Sequence, residues 1–123
     1  MILLDTNALI WLEAGHMRAR KLEKVETRLA VSPAALLEMQ FLLELGRIRF
    51  KGSALISAMA DDERWVVDDP PAAAWFEAAR SLSWTRDPFD RLIVAHAVVR
   101  GWRLATSDTT VLQHLDRRMT LEL

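Results

Sequence analysis

The sequence predicts an α/β domain, a small parallel sheet of four or five strands with helices on both faces in three α/β/α layers. Three observations carry this expectation. Short apolar runs suited to buried strands alternate with longer segments of helix formers from one end of the chain to the other. Two helical segments open on an X-Pro pair and close on a glycine, which is the asymmetry of helix ends. At 123 residues, without internal repeat or low-complexity tract, the chain suits one domain spanning 1–123.

Ile2 to Leu4 is a fully apolar run closed by Asp5, Thr6 and Asn7, which reads as a buried parallel strand ending at its carboxyl edge. A helix through Trp11 and Leu12 follows. Residues 16–28 are rich in Arg, Lys, Glu and Leu and read as helical, and Leu29 to Val31 as a second strand. Ser32 then caps a helix over 34–45, with Pro33 at its first turn and Gly46 at its end. Beyond it, Arg47 to Phe50 reads as briefly extended, Ser53 to Met59 as a small helix, and Trp65 to Val67 as a third strand.

Asp69-Pro70-Pro71 breaks the chain before helix formers at 72–82. The next helix runs from Pro88, behind Asp87, to Arg100, and Gly101 ends it. Arg103 to Thr106 reads as a fourth strand, Ser107-Asp108 as the start of a helix through Leu115, and Met119 to Leu121 as a last edge strand. In such a sheet ligands bind outside the carboxyl ends of the strands, where Asp5 and Asp108 fall.

With 51% hydrophobic and 27% charged residues the chain has the composition of a folded domain. A net charge of -1 supplies no global field toward nucleic acid, so charge alone predicts no partner and any RNA binding has to come from a local patch and from metal ions. The basic residues are nearly all arginine, whose planar fork suits phosphate. The absence of cysteine excludes disulfides, thiolate zinc sites and cysteine nucleophiles, and a reducing cytoplasm is the simplest setting. MILLDTN resembles neither a signal peptide nor a spanning helix, so no membrane association is expected.

Four acids carry the chemistry. On the third helical segment Ala34, Glu38, Phe41, Leu42 and Leu45 share one face, so Glu38 interrupts an apolar stripe, and Asp90 does the same beside Ile93, Val94 and Ala97. An inward carboxylate left unpaired costs several kcal/mol, on the order of the effective penalty for a buried ion, so each needs a cation or a proton. Asp5 and Asp108 come to the same rim from strand ends. Hard oxygen donors without a spaced histidine pair favour Mg²⁺, with Mn²⁺ as a substitute, over Zn²⁺. Helix capping by Asp5 and Asp108, and arginine pairing of Glu38 or Asp90, are the competing structural explanations.

LLDTNALIW at the start, SPAALLEM in the middle, RDPFDRLIVAHA around residue 90 and LATSDTTV around residue 105 together resemble the PIN-domain ribonucleases, and among them the VapC-type toxins of type II toxin–antitoxin modules. The resemblance implies a metal-dependent endoribonuclease with catalytic Asp5, Glu38, Asp90 and Asp108, of which Asp5, Asp90 and Asp108 hold the metal. It also implies an RNA substrate, a cognate antitoxin that blocks the acidic pocket, and a homodimer.

DPFD offers two aspartates. Asp90 is chosen as the ligand because Asp87, ahead of Pro88, sits as an N-cap outside the helix, with a supporting place near the metal as its alternative. Thr6 and Asn7 are expected to orient Asp5 or the metal's waters, and Thr106 and Ser107 to do so for Asp108. Arg86 and Arg91 flank the acids and could meet RNA phosphates, although Asp87 and Arg91 also form an ordinary i, i+4 pair. His96 stands where similar sequences often carry glutamine and reads as a surface or interface residue. The tryptophans read as core or interface. Two rivals keep the fold: a receiver-like Mg²⁺-binding signalling domain, which should have a lysine at a late strand end, and a catalytically silent PIN-fold binding module.

Overall fold

The computed structural model describes residues 1–49 and 62–123. Five strands, β1 (Ile2–Leu4), β2 (Leu29–Val31), β3 (Trp65–Val67), β4 (Arg103–Thr106) and β5 (Thr120–Glu122), form one sheet in the order β3-β2-β1-β4-β5, with every pairing parallel. The first three run outward from β1 on one side and the last two on the other. The switch point therefore lies between β1 and β4, where Leu4 stands level with Ala105. The sheet centre is Leu3, Leu4, Ala30, Val31, Leu104 and Ala105, all buried, which is why these strands read as unbroken apolar runs.

Among the described residues six α-helices connect them: α1 (Thr6–Ala14), α2 (Arg20–Glu23), α3 (Pro33–Glu44), α4 (Ala72–Arg80), α5 (Pro88–Arg100) and α6 (Thr109–His114), with single 3-10 turns at Met17–Ala19 and Arg117–Met119. The sheet lies between helical layers. Helix α4 packs along α5, and α3 touches both α1 and α5. Ser32 and Asp87 cap α3 and α5 with proline at the first turn of each, and Gly101 leaves α5 at φ 68°, a left-handed conformation that glycine adopts without Cβ strain.

Three expectations are corrected here and a fourth falls outside the described residues. The helix expected over 16–28 is confined to Arg20–Glu23 after a 3-10 turn, because the β-branched Val25 and Thr27 precede the strand rather than extend the helix. Residues Arg47 to Arg49 form no strand, and the helix expected at Ser53 to Met59 lies outside the described residues. Helix α3 buries Ala34, Ala35 and Met39, while Phe41 and Leu45 are 47% and 50% exposed, so the inward face lies to one side of the stripe drawn from the sequence and Glu38 sits at its border.

His96 is fully buried, not a surface residue. Helix α5 is covered on two sides, by the sheet and by α4, and position 96 faces Trp75 of α4 with ring centroids 5.4 Å apart. Its Nε2 lies 2.7 Å from Asp68 Oδ2, just beyond β3, where Arg100 Nε also donates at 2.8 Å.

Candidate metal centre

Asp5 follows β1 directly and is held by the sheet itself, its N–H donating to Ala105 O at 3.1 Å. Its Oδ1 accepts from Ala8 N–H at 2.7 Å. Asp108 stands two residues beyond β4. Its N–H donates to Thr106 Oγ1 at 3.0 Å, and its Oδ1 accepts from Thr110 and Val111 N–H. Both aspartates are helix N-caps, so the capping explanation is correct as far as it goes. Each cap nevertheless engages one oxygen through Oδ1 and leaves the other for a second partner.

Glu38 reaches the rim from the middle of α3, where Thr6 at the start of α1 donates its hydroxyl to Oε1. Asp90 comes from the first turn of α5, below Ile93 and Val94. The four acids line one cavity of about 210 Å³ with Thr6, Asn7 and Thr106 on its polar side and Leu42, Ile93, Val94, Leu104 and Val111 on its apolar side. At roughly 30 Å³ for each water in the liquid, that is space for a hydrated ion and a bound group together.

Among the described residues no lysine, arginine or histidine pairs with Asp5, Glu38, Asp87, Asp90 or Asp108, so the structural ion pairs offered for Glu38 and Asp90 are absent. Uncompensated charge raises the proton affinity of the cluster. Burial pushes the Asp90 carboxyl up to about 7, with repulsion from Asp87, Glu38, Asp108 and Asp5 added to it. Burial lifts Asp5 to about 6, against the Thr106 hydroxyl and the Ala8 N–H, which both favour its charged form. Glu38 is raised for the same first reason, opposed by the Thr6 hydroxyl.

Glu38, Asp87 and Asp90 each place a carboxylate oxygen within 4.8 Å of the others. Asp87 caps α5, its Oδ1 accepting from Phe89 N–H at 2.8 Å and from Asp90 N–H at 3.4 Å, and also stands in this tight trio. Asp5 and Asp108 lie across the same cavity, outside the trio. The sequence had no means to bring Asp87 to Glu38, because that closeness depends on how α3 and the start of α5 meet. Such a set of oxygen donors, crowded and without a cation, fits a divalent metal ion.

Of the neighbouring residues Thr6 departs from its expected partner, while Thr106 holds Asp108 as expected. Thr6 serves Glu38, Thr106 holds the Asp108 backbone, Asn7 lines the cavity, and Ser107 is partly exposed beside it. Arg91 does not pair with Asp87; its Nε donates to Thr85 O at 2.8 Å, which fixes the loop ahead of α5. Arg86 is exposed on that loop.

Comparison with known proteins finds relatives in sequence and in fold. Residues 2–117 match the PIN domain family. The chain is 33% identical over 120 residues to the ribonuclease VapC22 of Mycobacterium tuberculosis, covering 92% of this chain and 91% of the relative. It is similar in fold to a chain of a toxin–antitoxin complex from Klebsiella pneumoniae, with a TM-score of 0.72, 21% identity and full coverage of both chains. It is also similar to VapC20 of M. tuberculosis, a Sarcin-Ricin loop cleaving toxin, with a TM-score of 0.69, 18% identity, and 94% and 97% coverage.

Proposed function

The chain belongs to the PIN domain family, and from that premise we propose that it is a Mg²⁺-dependent endoribonuclease, the toxin of a toxin–antitoxin pair. The observation that carries the proposal is one cavity lined by four carboxylates with no protein cation among the described residues to compensate them. Asp5, Asp90 and Asp108 hold the ion and Glu38 completes the site, with Asp87 close behind Asp90. Mn²⁺ is the expected substitute. When bound, a divalent cation supplies Lewis-acid activation of water and neutralises phosphate charge.

The protein's own groups do the rest. Glu38, raised by burial and oriented by the Thr6 hydroxyl, is placed to take a proton from the attacking water as its oxygen closes on phosphorus. The P–O ester bond breaks, the leaving oxygen takes a proton from solvent water, and Glu38 returns its own to solvent. Burial pushes the Asp90 carboxyl up to about 7 while no cation is bound, and a divalent ion held there would favour its charged form. The apolar wall of Ile93, Val94 and Val111 limits water around the acids and strengthens their hold on the ion.

VapC22 is named a ribonuclease and the Klebsiella relative was solved within a toxin–antitoxin complex. RNA as substrate and a small antitoxin as partner follow by that similarity, and homodimerisation and a cytoplasmic setting belong to the same proposal. A receiver domain's late-strand lysine is missing, since β4 ends at Thr106 and β5 at Glu122. No helix among the described residues is long and apolar enough to cross a membrane. The test is cleavage of an RNA panel with Mg²⁺ and with EDTA. Cleavage should need the metal and disappear in Asp5→Asn; an Asp5→Asn protein that cuts at the parental rate overturns the mechanism.

A further inference from the structure

His114, the last residue of α6, is exposed, yet its ring is fixed twice over. Its Nδ1 lies 2.8 Å from Thr110 O, and because a carbonyl only accepts, Nδ1 carries a hydrogen and donates it there. One face of the imidazole lies flat on the Trp84 indole, with centroids 4.6 Å apart and planes at 7°. Trp84 is partly buried and packed against the core, so it backs the histidine on its inner side. An exposed side chain ordinarily keeps its rotamer freedom, and here that freedom is given up with the outer face of a flat ring left open.

The position of the pair matters as much as its shape. Helix α6 begins at the Asp108 cap and contributes Val111 to the wall of the acidic cavity. Trp84 stands in the loop that leads to Asp87 and Asp90, and Arg91 Nε and Asp87 N–H both bond Thr85 in that loop. The stack therefore joins the two segments that bring Asp90 and Asp108 to the cavity. Six residues of helix separate Asp108 from His114, about 9 Å along the axis at ~1.5 Å per residue. That distance corresponds to roughly two or three stacked nucleotide steps at about 3.4 Å each.

We propose that the outer face of His114, backed by Trp84, is a stacking platform for one unpaired base of the RNA, which sets the register of the strand over the acidic cavity. Stacking tolerates any base, so the platform selects single-stranded RNA over duplex and positions the chain without reading its sequence. Arg86, exposed on the Trp84 loop, is placed to meet a flanking phosphate. His114 would touch the substrate, whereas Trp84 is a positioning residue that acts through it. The inference rests on the ribonuclease reading.

The test is steady-state cleavage, with Mg²⁺, of short single-stranded RNAs of mixed sequence by the full chain, its His114→Ala, His114→Phe and Trp84→Ala variants, with thermal melting of each. Removing one base–aromatic stack should raise KM about tenfold in His114→Ala, with kcat and the melting temperature nearly unchanged. His114→Phe, which keeps a flat ring, should restore KM. An RNA carrying an abasic nucleotide at the stacking step should bind the parental protein as weakly as intact RNA binds His114→Ala, and should erase the difference between the two proteins. Equal KM for the parental and His114→Ala proteins, equal losses in Ala and Phe, or a His114→Ala penalty that persists on every abasic RNA each overturn the platform while leaving the nuclease standing. A parental protein that cuts no RNA in the panel overturns both.

Discussion

The Thr6 hydroxyl donates to Glu38 Oε1, joining the first residue of α1 to the middle of α3 across the mouth of the acidic cavity. Thr6 itself is buried, so the donor cannot be replaced by bulk water without a rearrangement. In Thr6→Val the shape is kept and the donor lost, which should raise the Glu38 carboxyl further and let its side chain move. A hydrogen bond to a charged group contributes about 1.5–3 kcal/mol, so RNA cleavage should fall by roughly ten- to a hundredfold in kcat. Thr6→Ser should recover most of it. Parental kcat in Thr6→Val would mean that Glu38 needs no positioning.

The acids that make the site also burden the fold. Asp90 is pushed up to about 7 and Asp5 to about 6, so the native state holds protons that the unfolded chain has already released. Stability without metal is then full below about pH 4 with respect to these groups, and is lost as pH rises through about 6 to 7. Asp90→Asn should stabilise the metal-free protein at neutral pH by about 1–2 kcal/mol, a figure reduced for the partial exposure of the group. Divalent metal should stabilise the parental protein more than Asp90→Asn. Urea denaturation with and without Mg²⁺ reads both effects, and a destabilised Asp90→Asn would show that the carboxylate is compensated in solution.

Away from the cavity, His96 and Asp68 make the opposite contribution. Burial holds the His96 imidazole below its ordinary range, although Asp68 opposes it; burial alone would raise Asp68, but Arg100 and His96 hold it low. The fold thus disfavours the charged form of His96, and no described residue partners its Nδ1. Both groups have depressed values in the native state, so their stabilisation is present above the unfolded values and lost as pH falls, from about 6.5 downward for His96 and below about 4 for Asp68. His96→Gln should remove the first of these losses, flattening the stability curve between about pH 5 and about pH 7. An unchanged curve in that variant would assign the acid sensitivity elsewhere.

These contrasts show what the sequence could and could not carry. Ile2–Leu4 and Leu29–Val31 were legible because a strand buried on both faces needs an apolar run, Trp65–Val67 as a run of β-formers although Val67 is exposed at the sheet edge, and α5 because Asp87-Pro88 and Gly101 mark its ends chemically. The four cavity acids were legible as charges without an obvious partner. The burial of His96 was not, since it depends on α4 covering the second side of α5. Nor was the exposure of Phe41, since helical periodicity gives the width of an apolar face but not which part of it another element reaches.

Asp87 is where local and tertiary information meet, and its two roles are separable. Its Oδ1 caps α5, and its charge stands in the trio with Glu38 and Asp90, raising both. Asp87→Ser keeps a capping oxygen and removes the charge, whereas Asp87→Ala removes both. The alanine variant should lose about 1 kcal/mol of stability from the cap, offset in part by relief of repulsion, and the serine variant should melt at or above the parental temperature. Both should bind Mg²⁺ several-fold more weakly if the Asp87 charge helps to hold the ion, because the capping oxygen alone supplies no net charge. Calorimetric titration with Mg²⁺ decides the point. Parental affinity in Asp87→Ser would confine Asp87 to the helix cap and leave the ion to Asp5, Asp90 and Asp108.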